Sequence, residues 1–307
     1  MKDGPPVLAV VEIGGTSVKI GFAAGGRPSE VSRTFPTRRI RTADPAAELA
    51  VLVAEASAVA GLAPSEVVAT VPGFIDRDFD TVLHAKNVPE LDGHRFATEL
   101  SAALALPVRL ERDVVLQLLG EASAGAVAGE TEVLAVYIGT GIGAAYLGAG
   151  GIFRGGGWAL EIGHMPMRPS LGEPPASLET HASGAALAAL AERHGVDVQA
   201  AFRQPAGSPL AVALETVIRD QAIAMAGAIA LLSPRHVLVG GGVVEMRGFP
   251  KARLAQALAD CLPGGGVQLP ALTYARLGWQ AAIWGALAIA GPRGLEAKVA
   301  AGAMPGA

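Results

Sequence analysis

Residues able to do chemistry concentrate between Leu134 and Met165, in the run LAVYIGTGIGAAYLGAGGIFRGGGWALEIGHM. Gly139-Thr140-Gly141-Ile142-Gly143 places three glycines in five residues. Glycine permits positive φ and lets backbone approach a ligand with no Cβ in the way. The N–H groups of such a turn, with the Thr140 hydroxyl, could hold a phosphate, although a plain hairpin turn has the same look. Glu161-Ile162-Gly163-His164 then sets a carboxylate and an imidazole three residues apart, as a ligand pair or as a capping or surface pair. Asp113 and Glu179 each fall at the start of an expected helix, where the dipole favours a carboxylate whether or not it has another task.

The elements that must position these residues follow from apolar runs and turn residues. Val7 to Ile13 reads as a strand, Gly14-Gly15-Thr16 as a turn and Val18 to Ala23 as a return strand. The stretch VVEIGGTSVKIGFAAGG, from Val10 to Gly26, parallels AVYIGTGIGAAYLGAGG, from Ala135 to Gly151. This internal repeat is too widely spaced for a solenoid and points to two related domains, each opening with a β-hairpin, or else to two unrelated hairpins. Further strands are expected at Val31–Phe35, Glu66–Val71 (stopped by Pro72-Gly73), Val108–Glu111, His236–Val239 and Leu272–Leu277. Helices are expected from Pro45 to about Ala60 behind an Asp44 cap, to about Leu104, from Asp113 to about Ala128, from Leu178 to about His194, from Pro209 to Leu232, from Pro250 to Leu262 and from Gln280 to Ala290. His84 to Gly93 reads as a polar loop and Pro166 to Pro175 as a Pro-rich one. Gly240-Gly241-Gly242, directly after a buried strand, could admit an adenosine or make a tight turn. The domain boundaries are expected at 1–129, 130–279 and 280–307, the last a helix returning to the N-terminal lobe, with a tail from Pro292.

Composition narrows the function classes. Of 307 residues 51 % are hydrophobic, enough for a sizeable core, and the net charge is −4 with no basic block for nucleic acid. The one cysteine, Cys261, excludes an intrachain disulfide and a multi-cysteine metal site. The N-terminus lacks the apolar core of a signal peptide, and the apolar run Ala222–Leu232 falls short of the ~20 residues that span a bilayer. A cytoplasmic protein with no membrane partner is expected.

Taken together and in order, these motifs resemble the ROK family (repressors, open reading frames, kinases), from Val7 to about Ala290. Glu12-Ile13-Gly14-Gly15-Thr16 with Lys19 is similar to its first phosphate motif, and Gly139-Thr140-Gly141-Ile142-Gly143 to its second. Pro72-Gly73 and Asn87 match its sugar loops. Asp113 falls on the catalytic aspartate, Glu161-Ile162-Gly163-His164 and Leu178-Glu179-Thr180 on sugar-binding motifs, and Gly240-Gly241-Gly242 on the adenosine motif. The resemblance implies an α/β, two-domain actin-like ATPase (ribonuclease H-like) fold with a cleft between duplicated domains. It implies an ATP-dependent sugar kinase, with ATP and Mg²⁺, and a homodimer. Asp113 would take the proton of the attacking hydroxyl. Gly73, Asn87, Arg112, Asp113 itself, Glu161, His164 and Glu179 would hold the sugar. Gly14, Gly15, Thr16, Lys19, Gly139, Thr140, Gly141, Gly143, Gly240, Gly241 and Gly242 would hold the nucleotide.

Three departures bear on this. Glu12 stands where the family usually has Asp, near Mg²⁺ through water. Most members bind zinc through the histidine at 164 and three cysteines, whose positions fall on Ser170, Gly172 and Ser177, so no zinc site is expected. Arg112 replaces a usual Asn sugar ligand. The run Arg112-Asp113-Val114 with Gln117-Leu118, and Gly241-Gly242-Val243 with Met246 and Phe249-Pro250, resembles the D-allose kinase branch. D-Allose is therefore the expected substrate, phosphorylated at its 6-hydroxyl, with glucose or an N-acetylhexosamine as alternatives if Arg112 points away and pairs with Glu111 or another carboxylate. A sugar-responsive repressor would need a DNA-binding segment before Val7, for which no room is expected. A sugar-binding protein without catalysis is the remaining alternative.

Overall fold

Seven residues from Val7, all apolar but Glu12, make β1 (Val7–Ile13), whose centre is fully buried. It returns as β2 (Ser17–Ala24) and continues into β3 (Arg27–Pro36). The chain then passes through α1 (Pro45–Ala60), capped by the Asp44 carboxylate on the Ala47 N–H at 2.9 Å, to β4 (Glu66–Thr70). A small hairpin, β5 (Phe74–Ile75) and β6 (Val82–His84), precedes α2 (Phe96–Leu104), β7 (Val108–Glu111) and α3 (Asp113–Ala124). This computed structural model describes residues 6–167, 175–264 and 268–290.

The same pattern then begins again. The wholly buried β8 (Val133–Ile138) returns as β9 (Ile142–Gly148), followed by the short strands β10 (Gly151–Ile152), β11 (Pro166–Met167) and β12 (Ala176–Ser177). Helices α4 (Leu178–Ala182), α5 (Gly184–Arg193) and α6 (Pro209–Leu232) lead to β13 (His236–Gly240). Then come α7 (Gly242–Glu245), α8 (Lys251–Cys261), β14 (Ala271–Tyr274) and α9 (Gln280–Ile289).

Two compact units result: 6–128 with 150–159 and 279–290, and 129–149 with the described residues of 160–278. The first sheet runs β3-β2-β1-β4-β7, antiparallel through β1 and parallel beyond it. In the second unit β9-β8-β13-β14 repeat the order, with β8–β9 antiparallel and β13 parallel to both β8 and β14. Each parallel step needs a crossover, and the helices that supply it bury the sheet faces. This duplicated mixed sheet is the actin-like ATPase fold. Each unit has its own core: Phe22, Leu49, Leu52, Phe96 and Leu100 in the first, Leu134, Ile138, Leu178, Ile218 and Leu254 in the second.

Several expected boundaries move. The helix at Asp113 ends at Ala124, not near Ala128, because the buried Glu121 carboxylate takes the Ala126 N–H at 2.6 Å and turns the chain. The helix expected from Leu178 to His194 is two helices. Ser183 breaks it and caps α5 by accepting from the Ala186 N–H. The region from His84 to Gly93 starts inside β6 and contains a 3₁₀ turn at Pro89–Leu91. The Pro-rich loop is closed by β11 against β12, pairing Pro166 with Ser177, and residues 168–174 lie outside the described residues, as does the tail from Pro292. No helix among the described residues is long and apolar enough to cross a membrane.

Candidate active site

In the first unit the β1–β2 turn has its carbonyl groups tied back. The Thr37 hydroxyl donates to the Gly14 carbonyl at 2.6 Å and the Thr37 N–H to that of Thr16 at 2.9 Å. Arg41 donates to the carbonyls of Gly15 (3.2 Å) and Asn87 (2.8 Å). Among the described residues the Gly15 and Thr16 N–H groups have no acceptor. Asn87 packs against Gly15, where an added Cβ would lie 3.0 Å from the Asn87 Cβ. Gly73 lies against the backbone of His84 and Ala85, so the Pro72-Gly73 turn and Asn87 belong to one surface. Thr37 and Arg41 went unnoticed in the sequence because their partners lie more than twenty residues away and neither sits in a motif.

Glu12, paired in register with Lys19 on β2 and Thr70 on β4, stands on the same sheet face as both. Its pKa is pushed up to about 7, first by burial and then by the negative charge of Asp113, with Lys19 pulling it back. The Lys19 ammonium rests 4.3 Å from the centre of the Trp279 ring, and burial lowers its pKa. Asp113 opens α3 with one side open to water; the protein around its other sides holds its pKa above the usual range. The Val114 N–H, 2.8 Å from its Oδ1, and the Arg112 guanidinium work against that rise.

Arg112 itself is engaged elsewhere. Its guanidinium donates to the Ala159 carbonyl at 2.9 Å, and its N–H donates to Glu111. Segment 150–159 is fixed to the first unit by this bond and three more. Arg154 forms a two-bond pair with the buried Glu111 at 3.1 and 2.7 Å. Arg77 donates to the Gly156 carbonyl at 3.0 Å, and Phe74 meets Trp158 edge-on.

The second unit repeats the device of the first turn. The Gly139 N–H closes onto the Gly141 carbonyl, while the carbonyls of Gly139 and Thr140 accept from Gly184 (2.8 Å) and Ala185 (3.1 Å) at the head of α5. Thr140 and Gly141 keep their N–H groups without an acceptor among the described residues. Gly143 lies inside β9, opposite Tyr137. Glu179 accepts the Ile142 N–H at 2.7 Å. Glu161 precedes a 3₁₀ turn that ends at the exposed His164, whose N–H bonds the Glu161 carbonyl at 3.0 Å. Gly240 packs on the Tyr137 ring, Gly241 takes φ 97° against Ile138, and Gly242 faces open space.

Of the three positions matched to zinc cysteines, Ser170 and Gly172 lie outside the described residues. Ser177 bonds the Thr180 hydroxyl at 3.0 Å. Among the described residues no group of three or more His, Cys, Asp and Glu side chains is placed to hold a metal ion.

The ROK family model matches residues 8–292. The chain belongs to the ROK family. This ROK chain is 28 % identical over 265 residues to a glucokinase of Halalkalibacterium halodurans, covering 76 % of this chain and 79 % of that one. It is 26 % identical over 279 residues to an N-acetyl-D-glucosamine kinase of Escherichia coli O139:H28, covering 82 % and 88 %. Among solved structures it is similar to a ROK family glucokinase of Streptomyces griseus in complex with glucose and AMPPNP. The TM-score is 0.77 at 26 % identity, over 94 % of this chain and 99 % of that one.

Proposed function

We propose that this ROK chain is an ATP-dependent sugar kinase that transfers the γ-phosphoryl group of ATP to the 6-hydroxyl of a hexose. The observation that carries this is the shared construction of the two glycine turns. In each, carbonyl oxygens are tied to other parts of the chain and two adjacent N–H groups have no acceptor among the described residues. A turn so built favours an anion, since its partial positive charges are not masked by its own oxygens. Phosphoryl transfer needs positioning and charge stabilisation more than covalent help.

Asp113 accepts the proton of the attacking hydroxyl, and the rise in its pKa suits a general base. Gly73, Asn87, Glu161, His164 and Glu179 read the sugar hydroxyls. Lys19 and the glycines at 14, 15, 139, 141 and 240–242 serve the nucleotide. Mg²⁺ keeps several waters and needs only one or two carboxylates. Glu12, electrostatically coupled to Asp113, fits that requirement, and the bound ion would offset phosphate charge.

For the sugar we propose a gluco-configured pyranose, glucose or N-acetylglucosamine. The ground for D-allose is the likeness of Arg112-Asp113-Val114 and Gly241-Gly242-Val243 to that branch, with Arg112 as an altered sugar donor; that guanidinium donates to the Ala159 carbonyl. The names of the two curated relatives support the same choice. ADP release measured with glucose, N-acetylglucosamine and allose tests it. One of the first two should exceed allose at least tenfold in kcat/KM. Allose in first place would restore the Arg112 argument, and no turnover with any hexose would overturn the kinase reading.

A further inference from the structure

We infer that Glu179 is a positioning residue that holds the Gly139–Gly143 turn in its nucleotide-receiving shape. The inference deepens the kinase reading and rests on it for what the turn receives. Glu179 projects from the first turn of α4 and its Oε1 accepts the Ile142 N–H at 2.7 Å. Its carboxylate is seated between two glycines of different motifs. A Cβ on Gly141 would strike Oε1, and one on Gly163 would lie 2.8 Å from it. The same Gly163 Cβ would strike the Ile142 carbonyl. The glycine in Glu161-Ile162-Gly163-His164 and the central glycine of the phosphate turn are therefore the two walls of one carboxylate slot.

The helix that carries Glu179 is itself clamped. Five residues are too few for a helix to persist alone. The buried Gln221 on α6 donates to the Ala182 carbonyl at 2.8 Å and fixes the last turn of α4. Directly after it, Gly184 and Ala185 donate to the carbonyls of Gly139 and Thr140. Behind the turn the chain thus makes three bonds within seven residues: two N–H groups reach its carbonyls, and one carboxylate reaches the N–H at its exit. Removing the carboxylate frees the Ile142 N–H and lets the exit rotate. Oε2 of Glu179 has no hydrogen bond among the described residues. A sugar hydroxyl taken there would share a side chain with the nucleotide turn, so binding of the two substrates is coupled through it.

Helix-dipole compensation makes the opposite demand: it needs the charge and not the reach. Glu179→Asp keeps the charge and shortens the side chain by one methylene, while Glu179→Gln keeps the reach and drops the charge. The experiment is hydrogen exchange of the Ile138–Leu147 segment, with ADP affinity measured in the absence of sugar, for the native chain and both variants. Glu179→Asp should exchange faster at Ile142 and bind ADP about tenfold more weakly, the loss expected of one strong hydrogen bond. Glu179→Gln should stay within about twofold of native in both. A Glu179→Asp chain that matches native in exchange and affinity, or a Glu179→Gln chain that is the impaired one, overturns the inference. A native chain that binds no ADP would sink the kinase reading, and the exchange comparison would still decide the role of Glu179.

Discussion

A carboxylate held above its ordinary pKa accepts a proton near neutrality more readily than a free aspartate does. Asp113→Asn should therefore lower kcat by roughly 10²-fold or more while leaving sugar affinity largely intact. Stopped-assay turnover and calorimetric sugar titration check the two parts, and near-native turnover would exclude Asp113 as the base. Glu12 offers a separate test through stability. Its folded pKa of about 7 exceeds its ordinary 4.5, so between those values the folded chain holds a proton that the unfolded chain has lost. Stability is thus fully retained below 4.5 and falls as pH rises toward about 7, by roughly 3 kcal/mol in all at 1.36 kcal/mol per unit. Glu12→Gln should be more stable than native at about pH 8 by an amount of that order and nearly equal at about pH 4.5. Denaturant melts at the two pH values measure the difference, and a variant less stable than native at the higher pH would contradict it.

At the scale of elements, the buried Glu111–Arg154 pair anchors segment 150–159. Removing only the arginine leaves a carboxylate that is 3 % exposed without its cation, which costs about 3–5 kcal/mol. Arg154→Met should lose that much in a urea melt, and Glu111→Leu with Arg154→Met should recover much of it. If the double variant is no better than the single, the pair is not the anchor. The strands β1, β2, β4, β7, β8, β9 and β13, the two hairpins they form and the long α6 were legible because they rest on local signals, whereas the short β5, β6, β10, β11 and β12 were not. Asp44-Pro45 and Ser208-Pro209 cap helices, and buried runs such as Val133–Ile138 make strands. The break at Ser183 was not legible. The run through it has helical periodicity, and what interrupts it is a pair of N–H groups drawn to loop carbonyls more than forty residues earlier. The ties from Thr37, Arg41 and Arg154 are equally long-range. The glycine turns and the candidate carboxylates were visible as motifs, but how the turns are braced was not.

Taken as a whole, the chain passes between its two units at 128/129, 149/150, 159/160 and 278/279. Neither unit is a continuous stretch, and α9, although distant in sequence, packs on α3. A Cβ on Gly120 would strike the Ala281 carbonyl, and one on Gly285 that of Leu116, so the two backbones touch where each helix has a glycine. A chain ending at residue 278 should therefore fail to form a stable first unit. Circular dichroism and hydrogen exchange of α3 report this, and native protection of α3 in that truncation would refute it. The same return of the chain sets Trp279 beneath the Lys19 ammonium. Of the three indoles, at 158, 279 and 284, that one lies against a cation assigned to the nucleotide. The protein thus has a built-in optical reporter. Drawing Lys19 toward a phosphate strips a charge from the face of a fluorophore, so titrating ADP should change the emission of a Trp158→Phe, Trp284→Phe chain, and Lys19→Met should abolish the change.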